Sequence, residues 1–184
     1  FQVFVLCYST TGREKEYPAT GFTPLCELSA SVVHIREHAA AYGVDPEKIA
    51  VCGFSAGGHL AASLGVHWNN DRLRALYPVT GRQNRPDAMI LSYPVISALK
   101  ETHPEWHDSF SALLGENPTP EAEAFFSLED QVDEETVPAF CWHTMDDDCV
   151  SVTNTMRFVK SLYEHGIPAE CHLFEHEIGR ASCR

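Results

Sequence analysis

The run Lys48-Ile49-Ala50-Val51-Cys52-Gly53-Phe54-Ser55-Ala56-Gly57-Gly58-His59-Leu60-Ala61-Ala62 decides how the rest of the chain is read. Residues 49–52 are a short apolar run of strand type, Asp45-Pro46 marks a turn ahead of it, and residues 58–64 read as a helix of small residues. Between them stands Gly53-Phe54-Ser55-Ala56-Gly57, a G-x-S-x-G motif. In such a strand-turn-helix the serine hydroxyl is held above the end of a sheet. Glycines two residues before and after it let strand and helix approach, because a β-carbon at either would collide. The N–H of Ala56 and the positive end of the helix point to where an oxyanion would form, which suggests acyl transfer with Ser55 as nucleophile.

Composition sets the outer bounds. With 184 residues, 44% of them hydrophobic and 21% charged, the chain is long enough for one sizeable core. Thirteen Lys and Arg against twenty-six Asp and Glu leave a formal charge of -13, which argues against nucleic acid and anionic membranes as partners and for a small neutral one. The seven cysteines form no C-x-x-C pair, and Cys52 and Cys141 lie inside apolar strands. They are expected to be reduced core thiols, which favours a cytoplasmic location. No apolar run approaches the roughly eighteen residues of a membrane-spanning helix.

Outward from the elbow, the apolar runs at residues 2–8, 88–96, 138–144 and 169–174 read as further strands, and 24–42 and 152–164 as helices ended near Gly43 and Gly166. Residues 69–86 read as a polar connection. Residues 97–136, rich in Pro, Glu and aromatics, read as an insert of short helices. The resulting alternation is that of an α/β protein with a doubly wound, mostly parallel sheet and right-handed crossovers.

A serine nucleophile needs a base, and the base needs an orienting acid. The run Trp142-His143-Thr144-Met145-Asp146-Asp147-Asp148-Cys149-Val150 places three aspartates at the carboxyl end of a late strand, where ligands collect in open α/β sheets. A solvated acidic turn is the plain alternative. His34-Ile35-Arg36-Glu37-His38 has the form H-x-x-E-H, but it lies on an amphipathic helix with no third ligand, so no metal is expected there. The aspartate triplet lacks the alternating spacing of a calcium loop. His59 is expected to be structural. No cofactor is called for.

Together these residues resemble the carboxylesterases and acetyl xylan esterases of the α/β-hydrolase superfamily. The resemblance rests on Gly53-Phe54-Ser55-Ala56-Gly57-Gly58-His59-Leu60-Ala61, on Arg85-Pro86-Asp87-Ala88 with Ser92-Tyr93-Pro94-Val95, and on Trp142-His143-Thr144 with the aspartates, and it spans most of residues 1–176. The family pattern W-H-T-x-D-D-x-x-V-P puts the catalytic acid three residues before the valine, which implies Asp147, with Ser151 in place of the usual proline. It also implies a Gly-rich oxyanion loop upstream of residue 1 and a base in an H-x-F-x-x-G-x-H-G context, of which Cys171-His172-Leu173-Phe174-Glu175-His176 is the approach. His176 matches the residue before that loop and not the base itself. The chain is therefore expected to be a fragment: residues 1–176 a partial α/β-hydrolase domain with an insert at about 97–136, and residues 177–184 a non-native tail, back-translatable into a common sequencing-adapter run.

The expected activity is that of a serine carboxylester hydrolase removing short acyl groups, acetyl above all, from carbohydrate or small esters through an acyl-enzyme. An amide-cleaving relative of peptidase or formamidase type, or a non-catalytic member of the fold, are the alternatives. The fragment alone is expected to be inactive.

Overall fold

The computed structural model describes residues 1–10, 22–98, 106–115 and 117–176. Its centre is a four-stranded, all-parallel sheet in the order β1-β2-β3-β4, formed by β1 (Ala50–Phe54), β2 (Ala88–Ser92), β3 (Ala139–Thr144) and β4 (Ala169–Phe174). Val51 pairs with Met89, Met89 with Ala139, and Ala139 with Ala169. Strand order follows chain order because each connection crosses the same face.

On that face lie α1 (Phe22–Glu37), α3 (Ala56–His67) and α7 (Thr153–Glu164). They bury Leu25, Val32, Leu64, Phe158 and Leu162 against Val51, Met89, Leu91 and Cys141 in one continuous core. Burying a Leu or Phe side chain fully is worth roughly 1.5–3 kcal/mol, so this face carries most of the stabilisation. Burial at Cys141 pushes its thiol up to about 12, so it behaves as an apolar group.

The opposite face is open among the described residues. Ala50, Cys52, Phe54, Ile90, Phe140, His172 and Phe174 are exposed along it. Cys52, expected to be a core thiol, is exposed on this face, since alternate residues of each strand turn toward it. The described cysteines are all free thiols.

A second correction concerns residues 2–8. They form no strand: the segment makes no ladder with the sheet, and Phe1, Val3 and Val5 project into solvent. Extended backbone becomes a strand only when a neighbour takes its hydrogen bonds. Here the segment is held by side chains, with Phe4 edge-on to Tyr42 at 5.1 Å and Ser9 donating through N and Oγ to the Glu27 carboxylate at 2.8 and 2.6 Å.

The remaining elements follow the sequence more closely. The helix read at 24–42 is α1 followed by the single turn α2 (Ala39–Tyr42), capped at Gly43. The polar connection contains the unforeseen α4 (Asp71–Leu76), whose N-cap Asn70 accepts from the Arg72 N–H at 2.9 Å. The insert holds α5 (Trp106–Leu114), α6 (Pro120–Phe126) and a 3-10 turn at Leu128–Asp130, and Phe110 and Phe126 form a second apolar cluster with Val95, Ala98 and Val150. Buried Asn154 ties the insert's start to α7: its Oδ1 accepts from the N–H groups of Ile96 and Ser97, both at 3.0 Å. Asp87 of the Arg85-Pro86-Asp87-Ala88 stretch accepts from Ile49 N at 2.8 Å and pairs with Arg36 at 3.3 Å, so its role is to fasten α1 and the start of β1 to β2. No helix among the described residues is long and apolar enough to cross a membrane.

Candidate active site

Ser55 sits between β1 and α3 at φ 51° and ψ -120°, a backbone conformation that a residue with a β-carbon rarely adopts. Three backbone hydrogen bonds pin it there: Ser55 N donates to Ser92 O at 3.1 Å, while its own carbonyl accepts from His59 N at 3.1 Å and Val95 N at 3.2 Å. The turn is thus built by β1 and α3 together with the segment after β2. Ala56, the first residue of α3, is exposed, and a first-turn N–H has no acceptor within its helix.

The glycines around the serine do not share one role. A β-carbon on Gly53 would lie 2.0 Å from the Gly57 carbonyl oxygen, so only glycine fits. At Gly57 the nearest atom to such a carbon is the Tyr8 hydroxyl, 4.0 Å away, which corrects the expectation of a collision there. The second close approach is at Gly58, where a β-carbon would meet Pro94 Cβ at 2.8 Å and Cα at 2.9 Å. The reason is helical geometry: Gly58, one residue further along α3, faces the Pro94 bend.

The aspartates follow β3. Asp147 has a side chain only 8% exposed, with Oδ1 accepting from the N–H groups of Cys149 and Val150 at 2.9 Å each. Its Oδ2 lies 3.4 Å from Nε2 of His143. His143 is fully buried: Nε2 donates to the Val150 carbonyl at 2.9 Å and Nδ1 lies 2.7 Å from Thr155 Oγ1. Burial lowers its pKa, so it stands as a neutral ring that braces the loop behind Asp147. Sequence reasoning passed over this residue; the signal was a histidine inside an otherwise apolar strand.

Asp146 and Asp148 are exposed. His176 follows β4 with its side chain 77% exposed, and its Nδ1 lies 3.5 Å from Asp146 Oδ2, not from Asp147. Asp147, Asp148 and Cys149 offer ligand atoms within 4.8 Å of one another, yet Oδ1 of Asp147 is committed to backbone donors. In the H-x-x-E-H stretch, His34 Nε2 is 2.9 Å from the Tyr42 hydroxyl and His38 Nδ1 donates to the His34 carbonyl at 2.8 Å. Ser55 and Asp147 therefore both stand at the carboxyl edge of the sheet, after β1 and β3, with Tyr93 between them after β2 at φ 37°.

His59, one turn into α3, is buried with Nδ1 donating to the Val95 carbonyl at 3.2 Å. Its ring meets Phe110 edge-on at 5.3 Å and Phe126 at 5.9 Å. Together with Ala56, these residues line an apolar cavity next to the elbow.

Residues 8–162 match the BD-FAE family. The chain is 42% identical over 173 residues to endo-1,4-beta-xylanase B of Butyrivibrio fibrisolvens, covering 93% of this chain and 26% of that protein. It is 27% identical over 160 residues to an acetylxylan esterase of Xylanibacter ruminicola, covering 85% of this chain and 30% of that one. Among solved structures, an acetyl ester-xyloside bifunctional hydrolase from Caldicellulosiruptor lactoaceticus superposes with a TM-score of 0.76 at 36% identity, over 93% of this chain and 60% of its own. A carboxylesterase from Lactobacillus plantarum does so with a TM-score of 0.72 at 29% identity, over 89% and 56%. The chain thus spans less than two thirds of each of these proteins. With its serine elbow, its parallel sheet and this match over most of its length, the chain belongs to the BD-FAE family and has the α/β-hydrolase fold.

Proposed function

We propose that this chain carries the nucleophile and the acid of a serine carboxylester hydrolase that removes short acyl groups, acetyl above all, from carbohydrate. The observation that carries the proposal is Ser55 at φ 51° on the elbow, a strained conformation held by three backbone hydrogen bonds and of no use to packing alone. The relatives named for acetyl ester and acetylxylan hydrolysis support the choice of substrate class and favour esters over amides.

In this reading Ser55 Oγ attacks the ester carbonyl carbon, and its proton passes to a histidine base. The negative oxygen of the tetrahedral intermediate accepts from the Ala56 N–H. Collapse expels the alcohol, which takes the proton back from the histidine. Water then repeats the sequence on the acyl-serine and releases the acid. Asp147 holds the base in the correct tautomer and stabilises its cation. Neither histidine near the aspartates fits the base: His143 is spent on Val150 and Thr155, and His176 faces Asp146. The proposal assigns the role to a histidine following β4 in a longer form of the protein, so residues 1–184 alone should turn over esters poorly.

The test is an active-site fluorophosphonate and a chromogenic acetyl ester, applied to a full-length form containing these residues. Stoichiometric labelling at Ser55 with turnover is expected, and Ser55→Ala should remove both, with losses on the order of 10⁴-fold or more. Turnover that survives Ser55→Ala would refute the assignment.

A further inference from the structure

The two histidines of the H-x-x-E-H stretch meet a third side chain that the motif does not contain. His34 stands in the last turn of α1, His38 at the junction of α1 and α2, and Tyr42 at the end of α2. A spacing of four residues sets them along one stripe, and all three are exposed. Their rings form one cluster: the centroids of His34 and His38 are 4.2 Å apart, those of His34 and Tyr42 6.0 Å, and those of His38 and Tyr42 6.2 Å. Phe4, edge-on to Tyr42 at 5.1 Å, holds the phenol from the other side. The third ligand that the sequence lacks as a histidine or carboxylate is thus present as a phenol.

The hydrogen bonds set the donor atoms. His38 Nδ1 donates to the His34 carbonyl at 2.8 Å, so in the neutral ring the proton sits on Nδ1 and the lone pair on Nε2. A backbone carbonyl holding the other ring nitrogen is the usual support of a metal-bound imidazole. His34 Nε2 lies 2.9 Å from the Tyr42 hydroxyl. Two donors 2.9 Å apart, each about 2.0 Å from one ion, subtend about 90° at it. That is the cis angle of a square-planar site, which suits copper(II), and it is narrower than the tetrahedral angle of zinc. Copper(II) also stands at the top of the affinity order for divalent first-row ions.

We propose that His34, His38 and Tyr42 form a surface site for copper(II), with Nε2 of each histidine and the Tyr42 oxygen as ligands and water completing the plane. On binding, Tyr42 gives its proton to solvent and coordinates as phenolate, both imidazoles bind as neutral rings, and copper keeps its charge. The ion bridges α1 and α2 where the helix is interrupted at His38, at φ -105° and ψ 17°. Ser55 and Asp147 take no part in it.

The test uses untagged residues 1–184 and copper(II) alone. Cys7 and Cys52 are exposed, so accessible thiols are alkylated first to keep them from reducing the ion. Titration at about pH 7.5, where proton release favours binding, should show one copper per chain at this site and a visible phenolate-to-copper charge-transfer band. Tyr42→Phe, which keeps the ring against Phe4, should abolish the band. His34→Gln and His38→Gln should each weaken binding by at least about tenfold, and circular dichroism checks that all three variants fold. Affinity unchanged in either histidine variant would place the copper elsewhere and overturn the proposal, as would a band that survives Tyr42→Phe. So would an unsubstituted chain that shows no band or binds no copper, a result that depends on no variant folding.

Discussion

Gly58 and Pro94 approach so closely that a β-carbon on the glycine would lie 2.8 Å from the proline's Cβ and 2.9 Å from its Cα. The contact joins the first turn of α3 to the bend after β2, the same bend whose Val95 N–H holds the Ser55 carbonyl. Gly58→Ala should therefore push α3 away from that bend and cost about 1–3 kcal/mol. Gly57→Ala, with only the Tyr8 hydroxyl at 4.0 Å, should be neutral or slightly stabilising, since alanine is the better helix former. Urea melts of the two variants separate the roles. Equal destabilisation would mean that the approach at Gly58 is not the constraint.

The strain at Ser55 gives a second expectation. Ser55→Gly and Ser55→Ala both remove the hydroxyl, but only glycine accepts φ 51° and ψ -120° without a β-carbon in the way. The glycine variant should be more stable than the alanine variant by about 1 kcal/mol, as expected from the usual cost of a residue in a sparsely populated region. Thermal melts of the pair read this directly. An alanine variant as stable as the glycine one would mean that the turn stores no strain.

Much of this architecture is legible in the chain because parallel strands advertise themselves as apolar runs and the elbow has a fixed pattern. What escapes is anything that depends on a neighbour. The run at 2–8 looks like a strand by composition, but whether it pairs is decided by the partner's backbone, which no local pattern encodes. Cys52 lies in an apolar run and is exposed all the same, because the covering of a sheet face is a property of the whole fold. The motif makes Gly57 conspicuous while the close contact falls on Gly58, since that contact is with a residue distant in sequence. The helix α4 could have been found from Asn70-Asp71, a good cap and first turn, had its short polar sequence carried an apolar stripe.

Asp147 offers a test of the acid that separates structure from chemistry. Its Oδ1 satisfies two backbone N–H groups, so Asp147→Ala should orphan both and cost about 1–3 kcal/mol in stability. Asp147→Asn keeps an oxygen for those donors and should retain most of the stability, while a full-length form bearing it loses most of its esterase activity through the wrong histidine tautomer. Asp146→Asn and Asp148→Asn, at exposed positions, should be mild on both counts. If Asp146→Asn proved the crippling change instead, the proximity of His176 to Asp146 would be the functional contact and the acid would shift by one residue.

Three buried histidines, His59, His67 and His143, each with a pKa lowered by burial, make stability depend on pH. Burial lowers His59 to about 4 and His67 to about 4, each from an ordinary 6.5; His67 stacks on Phe125 at 3.9 Å and donates through Nε2 to its carbonyl at 2.9 Å. Between those values the unfolded chain binds protons that the folded one refuses, so the stability associated with these rings is fully present above about pH 6.5 and is lost as pH falls toward 4. From pH 6.5 to 5, above the range where most carboxylates titrate, His59 and His67 should each remove up to roughly 2 kcal/mol. The melting temperature should therefore fall steadily over that interval, and His67→Gln should flatten part of the slope. A melting temperature constant from pH 6.5 to 5 would show that water or solvent reaches all three rings and that none is held neutral by the fold.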